Sequence, residues 1–150
     1  MRPPAPRPAH AASPAATLAS TDTSKGNTTC LGRPGSGGFE QIDADVFAHE
    51  WQVDAVKDDG CGAIPPGYNA WTTMRDALNK TGRPMFFAIH AGNCENWTTN
   101  VDCVNGSVAN MWRTGPDLVA SSFATWTNRL DLATLPEQAA LVGPGAFANP

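Results

Sequence analysis

The chain has 150 residues, 41% of them apolar, with 14 acidic side chains against 10 basic ones and a net charge of −4. That length carries one domain with a real core, burying about 70% of its unfolded surface. The acidic balance excludes nucleic acid as the main partner, no apolar stretch approaches the roughly 20 residues of a membrane span, and 14 Gly and 13 Pro leave no sustained heptad.

Residues 1–25 read as a disordered tail. Five prolines and seven alanines precede Ser20, with almost nothing large and apolar to bury. Arg2 and Arg7 are present, but the apolar stretch of a signal peptide is not, so the true start is expected upstream of Met1. Four cysteines (Cys30, Cys61, Cys94 and Cys103) accompany four Asn-x-Ser/Thr sequons at Asn27, Asn79, Asn96 and Asn105. That combination fits an oxidising, glycosylating route.

From Cys30 onward the texture becomes globular. Phe39, Ile42, Val46, Phe47 and Trp51 recur at near-helical spacing. Val53 to Lys57 reads as a short strand that ends in the charged pair Asp58-Asp59. A second helix follows Pro65-Pro66, with Tyr68, Trp71, Met74, Ala77 and Leu78 on one face. Gly82 stands where a helix C-terminal glycine belongs, and Pro84 forbids continuation. Met85 to Ile89 is an unbroken apolar run, the pattern of a strand buried on both faces. Met111-Trp112-Arg113 is a weaker strand. Ser122 caps a helix bearing Phe123, Trp126 and Leu130, and Ala139 to Val142 reads as the last strand, closed by Gly143-Pro144-Gly145.

Strands beginning near residues 53, 85, 111 and 140, with helical patterns between them, form a βα repeat and imply a parallel α/β sheet. A doubly wound sheet and a (βα)8 barrel both fit that repeat, although no Gly-x-Gly-x-x-Gly follows a strand. In either fold the chemistry belongs at the strand C-termini. Lys57, Asp58 and Asp59 follow one strand, His90 the next, and Arg113 with Asp117 the third. Two carboxylates from different strand ends, with a Lys and an Arg nearby, make an acid/base pair. A zinc site on His90, Cys94 and Cys103 has no Cys-x-x-Cys spacing behind it, and no metal or cofactor is expected.

The segments Cys30-Leu31-Gly32-Arg33-Pro34-Gly35-Ser36, Ile42-Asp43-Ala44 and Val56-Lys57-Asp58-Asp59-Gly60-Cys61 occur in an order that resembles family 27 glycoside hydrolases, the α-galactosidases and α-N-acetylgalactosaminidases. The likeness continues through Met74-Arg75-Asp76-Ala77-Leu78-Asn79-Lys80-Thr81-Gly82-Arg83-Pro84, Trp112-Arg113 with Asp117, and Val142-Gly143-Pro144-Gly145.

This resemblance implies a catalytic unit over 26–150 that forms part of a (βα)8 TIM barrel, about strands four to seven. It implies retaining hydrolysis of terminal non-reducing α-D-galactosyl residues, with oligosaccharides or glycolipids as partners. Asp59 is the implied nucleophile and Asp117 the implied acid/base. Lys57 and Arg113 are implied sugar ligands. Recognition at the sugar 2-position falls either to Glu95, if four residues are inserted after the strand, or to His90. The resemblance also pairs Cys30 with Cys61, and Cys94 with Cys103 in a shifted second disulfide. A secreted or lysosomal/vacuolar location and a homodimer of the full-length protein follow by the same analogy.

Two further features depart from the family pattern: Asp58 stands where an aromatic residue is usual, and Gly145-Ala146-Phe147-Ala148-Asn149-Pro150 replaces Gly-Gly-Trp-Asn-Asp-Pro. Strand alternation turns Asp58 away from the sugar, while its like charge raises a neighbour's pKa. The competing readings are an α-N-acetylgalactosaminidase and a truncated homologue without turnover.

Overall fold

A computed structural model describes residues 19–90, 107–115, 117, 122–134 and 139–149. Among the described residues, five strands form one sheet: β1 (Ser20–Ser24), β2 (Ala55–Asp59), β3 (Phe86–Ile89), β4 (Met111–Arg113) and β5 (Phe147–Asn149). They lie in chain order, β1-β2-β3-β4-β5, and every neighbouring pair is parallel. A doubly wound sheet reverses its strand order at a switch point. This sheet does not reverse, so the βα repeat winds steadily in one direction.

The tail expected over 1–25 is corrected at its C-terminal end, because Ser20–Ser24 is a strand paired with Ala55–Asp59. Its sequence, STDTS, has no apolar residue to announce it. Backbone pairing and polar contacts hold it instead. Ala19 N–H donates to Asp54 Oδ2 at 3.1 Å, and the buried Thr23 hydroxyl bonds to the Ser36 hydroxyl. The strand expected over Val53 to Lys57 also shifts, to Ala55–Asp59, because Asp58 and Asp59 pair with Thr23 and Ser24 of β1 rather than ending the ladder.

The last strand is corrected as well. Ala139 to Val142 is not a strand, and Phe147–Asn149 pairs with β4 after the Gly143-Pro144-Gly145 turn. Gly143 and Ala146 exchange hydrogen bonds at 3.0 and 2.9 Å, and Phe147 N–H donates to Asn110 O at 2.8 Å. The turn therefore opens the strand instead of closing one.

Helix α1 (Glu40–Asp45) runs into a π-helical turn, Val46–Glu50, in which the following Trp51 N–H reaches back to Val46 O. Helix α2 (Ala70–Lys80) has Asn69 as its N-cap, accepting from Thr72 N–H at 3.2 Å, and ends at Gly82, whose φ of 75° is one that glycine adopts without strain. Arg83 then ties this end to the start of β2, bonding Val53 O, Gln52 O and the Asp54 carboxylate. Helix α3 (Phe123–Ala133) starts at Ser122, which accepts from Thr125 N–H at 3.3 Å.

The core lies between the sheet and the first two helices. Val56, Phe87, Ile89 and Trp112 come from the strands; Ala44, Phe47, Trp71, Met74, Ala77 and Leu78 come from the helices. The face of the first helical segment differs from the expected one: Phe39, Ile42 and Trp51 are more than half exposed, while Glu40, Ala44, Phe47 and Ala48 are buried. Phe123, Trp126 and Leu130 of α3 are also exposed. Among the described residues no helix is long and apolar enough to cross a membrane.

Candidate active site

Alternation along β2 divides five residues between two surfaces. Val56 and Asp58 are buried; Ala55, Lys57 and Asp59 lie on the other, partly open face. The register aligns Thr23, Asp58, Ile89 and Trp112 across four strands. The next residue on each strand is Ser24, Asp59, His90 and Arg113, so these four share one level at the C-terminal edge of the sheet. Asp59, His90 and Arg113, spread over 55 positions of the sequence, thus converge on one sheet edge because of strand register.

The Asp59 carboxylate is held through one oxygen. His90 Nδ1 lies 2.5 Å from Oδ1, and the Gly60 N–H donates to the same atom at 2.7 Å. Partial burial pulls the Asp59 pKa upward, but the hydrogen bonds from His90 and Gly60, with the electrostatic influence of His90 and Lys57, outweigh it and leave the group below the usual carboxylate range. His90 is fixed in turn by its own backbone, whose N–H donates to Asp58 O at 3.0 Å. Gly60 makes room for the imidazole: a Cβ at that position would lie 3.2 Å from His90 Nδ1.

Arg113 and Asp117 also meet. Arg113 Nη1 is 2.6 Å from Asp117 Oδ1, and Arg113 Nε donates to Gly115 O at 2.8 Å. The Arg113 side chain is mostly buried, whereas that of Asp117 is 76% exposed. The structure therefore brings together Lys57, Asp59 and His90 at one strand end and pairs Arg113 with Asp117 beyond another. Glu95, Cys94 and Cys103 lie outside the described residues.

Behind the site is a buried polar set that the sequence reading only half saw. Asp58 is 1% exposed, and among the described residues neither of its carboxylate oxygens has a hydrogen-bond partner. Desolvation, followed by the charges of Glu40 and then Asp59, pushes its pKa up to about 8 against the opposing pull of Lys25. Lys25 is itself buried, its Nζ 4.4 Å from the centre of the Trp71 ring. The sequence signal for Asp58 was strand alternation. Lys25 had none, since it fell within the expected tail.

Cys30 and Cys61 form a disulfide with Cα atoms 5.2 Å apart, anchoring the loop after β1 to the residues just beyond Asp59. The loops touch closely: a Cβ on Gly26 would sit 2.3 Å from the backbone of Gly62, a glycine at φ 83°. Cys30, Asp59 and Cys61 are close enough to suggest a metal cluster, but the disulfide leaves neither sulfur a thiolate with which to bind one.

The relatives that the chain matches are named alpha-galactosidases. The chain is 40% identical over 131 residues to Alpha-galactosidase A of Cellvibrio japonicus, an alignment covering 80% of this chain and 31% of that relative. It is 38% identical over 130 residues to a Dictyostelium discoideum relative named probable alpha-galactosidase, covering 85% of this chain and 31% of the relative. Alpha-galactosidase I of Mortierella vinacea superposes with a TM-score of 0.54 at 32% identity, over 67% of this chain and 25% of that one. A Bacteroides fragilis structure reaches a TM-score of 0.69 over 88% of this chain and 30% of its own, at 23% identity, a likeness of fold alone.

The particular family follows from the family model described as Alpha galactosidase A, which matches residues 19–150. The chain belongs to that family and spans about a third of the length of the first two relatives. The match begins where β1 begins, in keeping with the correction to the tail.

Proposed function

We propose that this chain is the nucleophile-bearing arc of an α-galactosidase (βα)8 barrel, hydrolysing terminal α-D-galactosyl residues with retention of configuration. The observation that carries the reading is the state of Asp59. It is a partly exposed carboxylate at a strand C-terminus, kept ionised by His90, Gly60 N–H and Lys57. A retaining glycosidase requires such a nucleophile, with a second carboxyl group roughly 5–5.5 Å away acting as acid and then base.

Asp117 takes the second role. Arg113 holds it beside the end of β4, where its exposed carboxyl can exchange the guanidinium for a glycosidic oxygen as substrate enters. Lys57 shares the face of Asp59 and offers an ammonium to sugar hydroxyls. In the first step Asp59 attacks the anomeric carbon while Asp117 protonates the leaving oxygen. In the second, Asp117 removes a proton from water, which displaces Asp59. The sequons and the Cys30–Cys61 disulfide suit a secreted or vacuolar setting.

A fluorinated galactosyl fluoride tests the assignment by trapping the covalent intermediate. Peptide mapping of the labelled full-length protein should place the sugar on Asp59. In an Asp117→Ala variant, azide should restore turnover and yield α-galactosyl azide, whereas Asp59→Gly with azide should yield the β anomer. Label on another carboxylate would overturn the assignment, and absence of both label and turnover would favour the inert homologue.

A further inference from the structure

We propose that His90 is the positioning residue of the nucleophile: with the Gly60 N–H it claims Oδ1 of Asp59 and leaves Oδ2 as the oxygen that attacks the sugar. The proposal rests on the reading of Asp59 as the nucleophile. Its geometric basis is that both donors converge on a single atom, at 2.5 and 2.7 Å. A carboxylate held through one oxygen can neither rotate nor exchange its two oxygens without breaking those bonds.

The donor is itself rigid. Its backbone N–H extends the β2–β3 ladder by bonding Asp58 O, and its ring is packed against the bare Cα of Gly60. Because an ionised carboxylate only accepts, Nδ1 must carry the hydrogen, which fixes the neutral tautomer or makes the ring an imidazolium. His90 Nδ1 is therefore committed to Asp59 rather than free for a sugar hydroxyl.

The hydrogen bonds acquire a chemical role in both steps. When Oδ2 bonds to the anomeric carbon, the electron pair of the breaking glycosidic bond goes to the leaving oxygen, which takes its proton from Asp117. Oδ1 becomes the carbonyl oxygen of the resulting ester and keeps its two donors. In the second step water attacks the same carbon, its proton goes to Asp117, and the electron pair of the ester bond returns to the Asp59 carboxylate. His90 and Gly60 N–H stabilise the negative charge as it reappears, so their largest effect falls on release of the sugar from the enzyme.

The test is kinetic and spectroscopic, on full-length wild type, His90→Ala and His90→Asn, the asparagine retaining a donor near the place of Nδ1. His90→Ala should lower kcat on the order of 10- to 100-fold, the effect of losing a hydrogen bond to a charged group. KM should fall with it as the glycosyl-enzyme accumulates, and the acid limb of kcat/KM should move to higher pH. His90→Asn should recover most of the loss. A carboxylate-labelled NMR titration should show the Asp59 pKa rising in His90→Ala and returning towards wild type in His90→Asn.

A higher KM with an unmoved acid limb would make His90 a sugar ligand and overturn the proposal. So would an Asp59 titration unchanged in folded His90→Ala. Failure of the wild type itself to take label at Asp59 would instead remove the nucleophile reading on which the proposal stands, so the two failures are distinguishable.

Discussion

Asp58 and Asp59 are adjacent and chemically identical, yet their surroundings drive them apart. Asp59 faces hydrogen-bond donors and Lys57 and is held below the usual carboxylate range; the Asp58 carboxylate faces the core with no hydrogen-bond partner among the described residues and is pushed up to about 8. The charged groups acting on Asp58 come from three segments: Glu40 of α1, Lys25 beyond β1 and Asp59 of its own strand. A carboxyl whose folded pKa exceeds its unfolded value near 3.9 binds its proton more tightly when folded. Its stabilising contribution is full below about pH 4 and is lost as pH rises through about 8. Stability should therefore decline across that window, by at most about 1.4 kcal/mol per pH unit from this group. Urea midpoints of wild type and Asp58→Asn measured from pH 4 to pH 8 check this, since the variant should lose most of the slope. Alternation in the sequence could assign Asp58 to the buried face, but only packing could show that no partner awaits it there.

At the scale of elements, the Cys30–Cys61 bridge and the Asn69 cap make separable contributions. The bridge closes a sequence separation of 31 residues and joins the loops that flank Asp59. Chain-entropy arguments give a stabilisation of about 3–4 kcal/mol for a loop of that length. Cys30→Ser/Cys61→Ser should lower the unfolding free energy from denaturant titration by that amount and weaken fluorosugar labelling, because the loop carrying Gly60 is released. Asn69→Ala should cost about 1 kcal/mol through the lost cap on Thr72 N–H and leave labelling intact. Sequence pattern located α2 well because Trp71, Met74, Ala77 and Leu78 repeat at helical period and Gly82 ends the helix. It missed β1, whose serines and threonines give no period-2 signal, and β5, whose Phe147 and Ala148 follow a turn that also reads as a terminator.

For the whole molecule, a continuous core coexists with uncovered apolar surface. Met74 is fully buried where α2 meets the sheet, so Met74→Ala should destabilise by about 2–5 kcal/mol, measurable as a shifted thermal midpoint. Phe123 is 84% exposed, and Trp126 and Leu130 beside it on α3 are more than half exposed. Expressed as these 150 residues alone, the protein should bind a hydrophobic dye and self-associate, as exposed apolar patches do. Phe123→Ser/Leu130→Ser should reduce both, as read by dye fluorescence and light scattering.

The sequence by itself determined the parallel α/β class, the helix limits marked by Ser122 and Gly82, and the ordered segments that resemble family 27, because local periodicity, capping chemistry and motif order are written along the chain. Tertiary structure alone decided that a polar strand at Ser20–Ser24 borders the site, that His90 meets Oδ1 of Asp59, and that Asp58 is buried beside Lys25 and Glu40. Those outcomes depend on register between strands some 30 residues apart, a relation set by how the sheet packs on its helices and encoded at no single position of the sequence.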